Sequence, residues 1–300
     1  MIVDKPQEWT SHDVVGKMRS LAATRKVGHA GTLDPMATGV LVVGIGKATR
    51  LLNYIVGADK EYLATIRLGF ETTTEDADGE PIHETAGLVG KIELDHIQSA
   101  ANQLTGDIMQ VPSSVSAIKI DGKRSYDRVR AGETVEIPAR SVHVGVFEVL
   151  RMAHAESELG PVIDVDVRVS VSSGTYVRAL GRDLARALGT QGHLTALRRT
   201  RVGGYCIDKA ATLEQLAQQV SEDDVVNVIP LAQAAAATFA VRNLSEEETI
   251  ALGFGKRLHP VTTVNDETIM AGIGPDGTLV ALLKDDGHKA QPAVVFAPRQ

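Results

Sequence analysis

Apolar and polar residues alternate most cleanly in VIDVDVRVSV (162–171). Ile163, Val165, Val167, Val169 and Val171 share one face, and Asp164, Asp166, Arg168 and Ser170 the other, which predicts a half-buried strand. YLATIRLG (62–69) alternates in the same way, with Tyr62, Ala64, Ile66 and Leu68 on one side and Leu63, Thr65 and Arg67 on the other. VLVVGI (40–45) is a short apolar run that predicts a buried strand. Residues 1–15 read as a short strand followed by a helix opening near Ser11, and residues 47–57 and 92–105 have helical spacing. A further helix from about Tyr176 to Leu188 carries Arg178, Arg182 and Arg186 four residues apart, on roughly one face. GHAGTLDPMATG (28–39) reads as a loop, and TTTEDADGEP (72–81) as an acidic, turn-rich loop. After about residue 228 the composition shifts, and IPLAQAAAATFAVRN reads as a connection. Ser245 and Glu248 form a capping-box pattern, and three strand-like runs follow, separated by Pro275-Asp276-Gly277 and Asp285-Asp286-Gly287. Residues 240–300 are therefore expected to form a small β domain.

The length of 300 residues allows one large domain or two smaller ones, and 43% hydrophobic residues suffice for a sizeable core. The single cysteine, Cys206, has no partner for an internal disulfide, which fits a reducing cytoplasm. No stretch has the apolar length of a membrane span, and the N-terminal MIVDKPQEWT lacks the pattern of a signal peptide. The net charge of -7 argues at first against nucleic acid, but the charge is segregated. Six arginines (178, 182, 186, 198, 199, 201) stand against one acid, Asp183, between Gly174 and Arg201. Five basic residues lie between Ser116 and Arg130. An acidic protein can still present a basic face to phosphate. Taken singly, each cluster reads better as a solvated helix face.

In the first loop Asp34 precedes Pro35, which holds it in extended geometry, while Gly28, Gly31 and Gly39 allow sharp turns and close approach. Such a loop can hold one carboxylate in a fixed, accessible place. On these residues alone an ordinary Asx turn is the stronger reading. Other chemistries find no support. GIGKAT (44–49) hints at a phosphate loop, but Leu41 and Ala48 stand where that pattern needs Gly and Ser or Thr. HExxH, CxxC and GxSxG patterns do not occur, and no metal site is expected.

GHAGTLDPMATGVL (28–41), with DKP at 4–6, closely resembles the catalytic signature of the bacterial TruB family of tRNA pseudouridine synthases. KEYLATIRLG (60–69) with TEDADG (74–79), VPSSVSAIKIDGKRSYDRVRAG (111–132), SSGTYVRALGRDLARALG (172–189) and HLTALRRTRVG (193–203) resemble the family's further blocks, in order, across about residues 1–205. The C-terminal segment is similar in size and turn pattern to a PUA domain. One departure is Val115, where the family often has an aromatic residue.

The resemblance implies an α+β fold: a large mixed, mainly antiparallel sheet with flanking helices, plus a small PUA-like β domain. It implies a catalytic domain over 1–228, with an RNA-gripping thumb at about 106–140, and an RNA-binding domain over 240–300. The implied reaction converts uridine to pseudouridine at position 55 of the tRNA T loop, on a flipped-out base and without a cofactor. By resemblance Asp34 is the nucleophile and Arg178 its ion-pair partner. His29 fills the vacated space, Tyr62 stacks on the base, Tyr176 and Leu197 wall the pocket, and Lys5 and Pro6 support the loop. Lys119, Lys123 and Arg124 of the thumb, with Arg198, Arg199 and Arg201, are expected on phosphates. The expected partner is the T arm of tRNA, bound by a monomer with no protein partner. A guide-RNA-dependent synthase and a tRNA-folding chaperone with incidental catalysis remain as alternatives.

Overall fold

The computed structural model describes residues 1–84, 89–113, 119–120, 123–124, 137–261 and 268–296. In chain order the first elements are β1 (Ile2–Lys5), α1 (Ser11–Leu21), β2 (Val27–Ala30) and β3 (Thr38–Ile45), then a 3-10 turn (Gly46–Arg50) and α2 (Leu52–Ile55). β4 (Lys60–Leu68), the hairpin β5 (Phe70–Thr72) and β6 (Pro81–Glu84), α3 (Leu94–Gln103) and β7 (Gly106–Gln110) follow. Next come β8 (Lys119–Ile120), β9 (Lys123–Arg124), β10 (Arg140–Ser157), β11 (Gly160–Val171), α4 (Val177–Ala187), β12 (Gly192–Val202) and β13 (Tyr205–Cys206). The chain ends with α5 (Leu213–Asp223), α6 (Leu231–Ala236), β14 (Ala240–Asn243), α7 (Glu246–Gly253), β15 (Thr268–Ile273), β16 (Leu279–Asp285) and β17 (Ala290–Val295).

The alternating strands β4 and β11 are neighbours at the centre of the main sheet, whose order is β1-β3-β12-β4-β11-β10-β7. They pair antiparallel with Val169 opposite Tyr62, Val167 opposite Ala64 and Val165 opposite Ile66. Their apolar sides therefore fall on one face, as period-two geometry requires. That face packs on α3 through Ile97 and Ala101 and on α4 through Leu180 and Leu184. The polar sides form a cross-strand ladder on the other face. Arg67 grips Asp164 with two bonds of 2.7 Å, and Thr65 donates to Asp166 at 2.7 Å. Only the β12–β3 contact in this sheet is parallel among the described pairings, so the fold is the mixed, mainly antiparallel α+β arrangement expected.

The segment 28–39 is not all loop. β2 runs to Ala30 and β3 begins at Thr38, leaving residues 31–37 irregular. Gly28 and Gly44 face each other across this strand pair. A Cβ on Gly28 would lie 3.1 Å from Leu52, and one on Gly44 2.9 Å from the Ala48 carbonyl. These two glycines serve the close approach of the following helical turns rather than a bend.

The second sheet has the order β14-β15-β16-β17, and α7 opens with the reciprocal Ser245–Glu248 capping box. It does not stand apart from the first. Ala271, Leu279, Leu282 and Phe296 belong to one buried cluster with Ile2, Val42, Leu51, Leu52 and Tyr205, and Ala235 of α6 lies in the same cluster. Arg50 also donates to the Val295 carbonyl at 2.7 Å and lies over the Phe296 ring. Removing residues 228–300 would expose this apolar surface. A chain ending at Asn227 is expected to unfold thermally more than about 5 °C below the parent. An unchanged midpoint in calorimetry would show that the first sheet is stable by itself.

Candidate active site

The loop 31–37 is pinned from the N-terminal segment. Lys5 is buried, and its ammonium donates to the carbonyls of Pro6 (2.8 Å), Trp9 (2.6 Å) and Pro35 (3.2 Å). Burial pushes that ammonium down to about 8, and the nearby Asp34 charge opposes the shift. The Ser11 hydroxyl donates to the Leu33 carbonyl (3.2 Å) and accepts from the Leu33 N–H (2.9 Å), and the Glu8 N–H donates to Pro35. The Ala37 N–H donates to the Asp34 carbonyl and closes the turn. Gly39, at φ +99°, lies so close to the Arg199 backbone that any Cβ would collide with it. Leu33, Met36 and Ala37 are driven into the core, and the Asp34 side chain is left 39% exposed. Lys5 and Pro6 thus lie where a loop support is needed.

Asp34 meets Arg178 at 3.1 Å. Arg178 is the second residue of α4 and is buried, although helical spacing alone would equally put it on a solvated face. Its guanidinium also reaches Asp76 at 3.3 Å and donates to the Thr74 carbonyl at 2.9 Å. Asp76 was not singled out in the sequence. It is held by the Thr74 hydroxyl and the Asp78 N–H, and Thr72 donates to its carbonyl. The acidic loop therefore folds back onto α4 and does not project into solvent. Arg182, one turn on, pairs with Glu75 at 2.8 Å and donates to the Val111 carbonyl at 2.7 Å. Of the expected arginine stripe, only Arg186 remains largely exposed.

A cavity of about 350 Å³ opens beside the carboxylate, lined by Asp34, Lys60, Tyr62, Tyr176, Arg178, Leu197 and Arg199 among others. Its size suits one small polar ligand. Tyr62 comes from β4 and Leu197 from β12, adjacent strands in which Leu197 pairs with Ala64. Tyr176 is the N-cap residue of α4. The side-chain amide of buried Gln110 accepts from the Tyr176 N–H (2.9 Å) and donates to its carbonyl (3.1 Å). Lys60 and Gln110 were not anticipated as site residues. His29 does not line the cavity. It packs edge-on against His12 at 5.8 Å, its Nδ1 is buried without a hydrogen-bond partner, and burial lowers its pKa, with His12 adding to the shift.

The expected phosphate contacts divide. Arg199 is only 1% exposed and donates to the carbonyls of Val40 (2.7 Å), Gly31 (3.0 Å) and Thr32 (3.4 Å). It is not a surface cation, which corrects its grouping with Arg198, because consecutive strand residues point to opposite faces. Arg198 is 41% exposed and pairs with Asp4 at 2.7 Å. Arg201 donates to the Gly203 carbonyl and the Ser170 hydroxyl. Lys119, Lys123 and Arg124 have backbones in the paired strands β8 and β9, but their side chains, and Val115, lie outside the described residues. Among the described residues no group of His, Cys, Asp and Glu side chains has the arrangement of a metal site.

The family model for the N-terminal domain of TruB pseudouridylate synthases matches residues 19–177. The chain belongs to the TruB family. The match continues through the C-terminal domain of tRNA pseudouridylate synthase B over 178–233 and the C-terminal model of tRNA pseudouridine synthase II over 239–297. A protein of Arthrobacter sp. named tRNA pseudouridine synthase B is 55% identical over 99% of this chain and 96% of its own length. One of the same name from Thermobifida fusca is 52% identical over 99% and 98%. Among solved structures, a Cbf5–Nop10–Gar1 complex contains a chain similar to this one, with TM-score 0.75 and 27% identity over 100% of this chain and 85% of that one. In this TruB chain the loop carrying Asp34 and the acidic loop carrying Asp76 fall within the matched N-terminal model, whereas Arg178 is the first residue of the next matched model.

Proposed function

We propose that this chain converts uridine to pseudouridine at position 55 in the T loop of tRNA, with Asp34 as nucleophile. The observation that carries the reading is a single accessible carboxylate, 3.1 Å from a buried arginine, at the wall of a nucleoside-sized cavity. It stands in a chain 55% identical to a protein named tRNA pseudouridine synthase B. The isomerisation breaks the N1–C1′ bond, turns the uracil and joins C5 to C1′; C5 loses its hydrogen as a proton and N1 gains one. A uridine in a folded loop must first leave its stack. Tyr62 is assigned to the face of the flipped base, Tyr176 and Leu197 to the pocket walls, and His29 to the space the base leaves. Lys5 and Pro6 support the loop. Arg178 holds the Asp34 carboxylate charged and aimed. No cofactor takes part in this scheme.

Residues 1–228 are assigned as the catalytic domain, with the thumb at about 106–140, and residues 240–300 as a PUA-like RNA-binding unit. The protein is proposed to act as a cytoplasmic monomer on bare tRNA, without guide RNA or protein partner. The test is incubation of the purified chain with an unmodified tRNA transcript, followed by carbodiimide treatment and primer extension. A stop at position 55 is expected; no stop, or one only when a guide RNA and partner proteins are added, refutes the reading.

Arg198, Arg201 and the thumb cations Lys119, Lys123 and Arg124 are assigned to phosphates. Binding should then weaken steeply with salt, and Lys123→Ala should lower the slope of log affinity against log salt by about one. Arg198 shares its charge with Asp4, so Arg198→Ala should lower the slope by less. Filter binding over a salt series measures both, and an affinity indifferent to salt counts against the basic face.

A further inference from the structure

Two buried cations stand side by side in the wall of the catalytic cavity. Lys60 opens β4 and is 8% exposed; Arg199 reaches in from β12 and is almost fully buried. A Cβ placed on Gly31 would lie 3.6 Å from both Lys60 Cε and Arg199 Nη1. Gly31, at φ +83°, has no side chain to fill that place. The Lys60 ammonium donates to the carbonyls of Val56 (2.9 Å) and Ala58 (2.7 Å), which leaves a third N–H. Arg199 likewise spends its hydrogen bonds on three backbone carbonyls and retains further N–H groups. All of these acceptors are neutral. Among the described residues neither cation forms an ion pair with a carboxylate, and Asp34 is engaged by Arg178.

Two like charges held close in a partly enclosed cavity repel, and each has given up solvation. Burial first, and Arg199 second, push the Lys60 ammonium down to about 8. A bound anion would offset both effects.

We propose that Lys60 and Arg199 together bind one phosphodiester next to the target uridine when its base enters the cavity. This rests on the reading that the cavity takes a uridine of tRNA. The phosphodiester carries one negative charge and several acceptor oxygens, which suits a compact ammonium beside a guanidinium. The contact differs from the surface phosphate contacts. It ties the ribose of the reacting nucleotide to the cavity wall, and so places C1′ relative to Asp34.

The test uses T-arm RNA hairpins in which the linkage 5′ or 3′ of the target uridine is an uncharged methylphosphonate. A hairpin with the same change at a remote linkage is the control. In the parent protein one of the two flanking replacements is expected to weaken binding about tenfold more than the remote one. In Lys60→Met, which keeps length but removes charge, the same replacement is expected to have no further effect. Equal losses in parent and variant overturn the proposal. So does a parent protein that treats flanking and remote replacements alike, a result that needs no variant and stands even if Lys60→Met fails to fold. If the parent forms no pseudouridine in the unmodified hairpin, it is the proposed function that fails instead.

Discussion

Asp34→Asn is expected to fold, to bind tRNA about as tightly as the parent and to form no detectable pseudouridine. Asparagine has nearly the same shape, and its amide oxygen can still accept a hydrogen bond from Arg178. It is uncharged and does not attack carbon as a carboxylate does. The Asp34 side chain is 39% exposed, so losing its ion pair should change stability by no more than about 1 kcal/mol. Arg178 keeps its contacts with Asp76 and Thr74. If Asp34 is the nucleophile, its loss should cost on the order of 10⁴-fold or more in rate. The measurement is tritium release from tRNA labelled at uracil C5, because joining C5 to C1′ expels that hydrogen. Release near the parent rate would remove Asp34 from the chemistry and take the site assignment with it.

The centre of the fold was legible because β4 and β11 each have one buried and one polar side, and a period of two can only be satisfied by strands. The same rule carried more than was read from it. Lys60 has the parity of Tyr62, Ala64 and Ile66, and extending the alternation by one step puts it on the buried face. Arg199 has the parity of Leu197, which separates it from Arg198 in the same way. Asp76 had no such signal. An acidic loop that solvates itself and one that folds back onto an arginine a hundred residues later have the same local composition. Helical spacing placed Arg178, Arg182 and Arg186 on one stripe, but which side of the helix meets the rest of the protein depends on that long-range contact. The anchoring of the loop by Lys5 and Ser11 is non-local in the same sense. Gly28 looked like a turn residue because glycine in a strand for the sake of helix packing has no pattern of its own.

The ion pair behind the carboxylate should affect stability and rate separately. Arg178→Ala removes the cation from Asp76, whose side chain is almost fully buried, and the donor from the Thr74 carbonyl. Breaking a buried pair from one side costs about 3–5 kcal/mol, so a clear fall in thermal midpoint is expected. The rate should fall on the order of 10²–10³-fold beyond that, as when one positioned charge donor is lost. Arg178→Lys keeps the charge but cannot hold Asp34, Asp76 and the carbonyl at once, so it should restore stability more than rate. Asp76→Asn is the sharper test. It leaves Asp34 and Arg178 intact and removes only the charge that pairs with the arginine from the other side. If Asp76 positions Arg178, single-turnover rates should fall about tenfold with tRNA affinity unchanged. Combining Asp76→Asn with Arg178→Lys should then cost less than the sum of the two, by about 1 kcal/mol or more. Additive losses, or an Asp76→Asn protein that reacts at the parent rate, would show that the acidic loop only closes the fold over α4 and takes no part in aiming the Asp34 carboxylate.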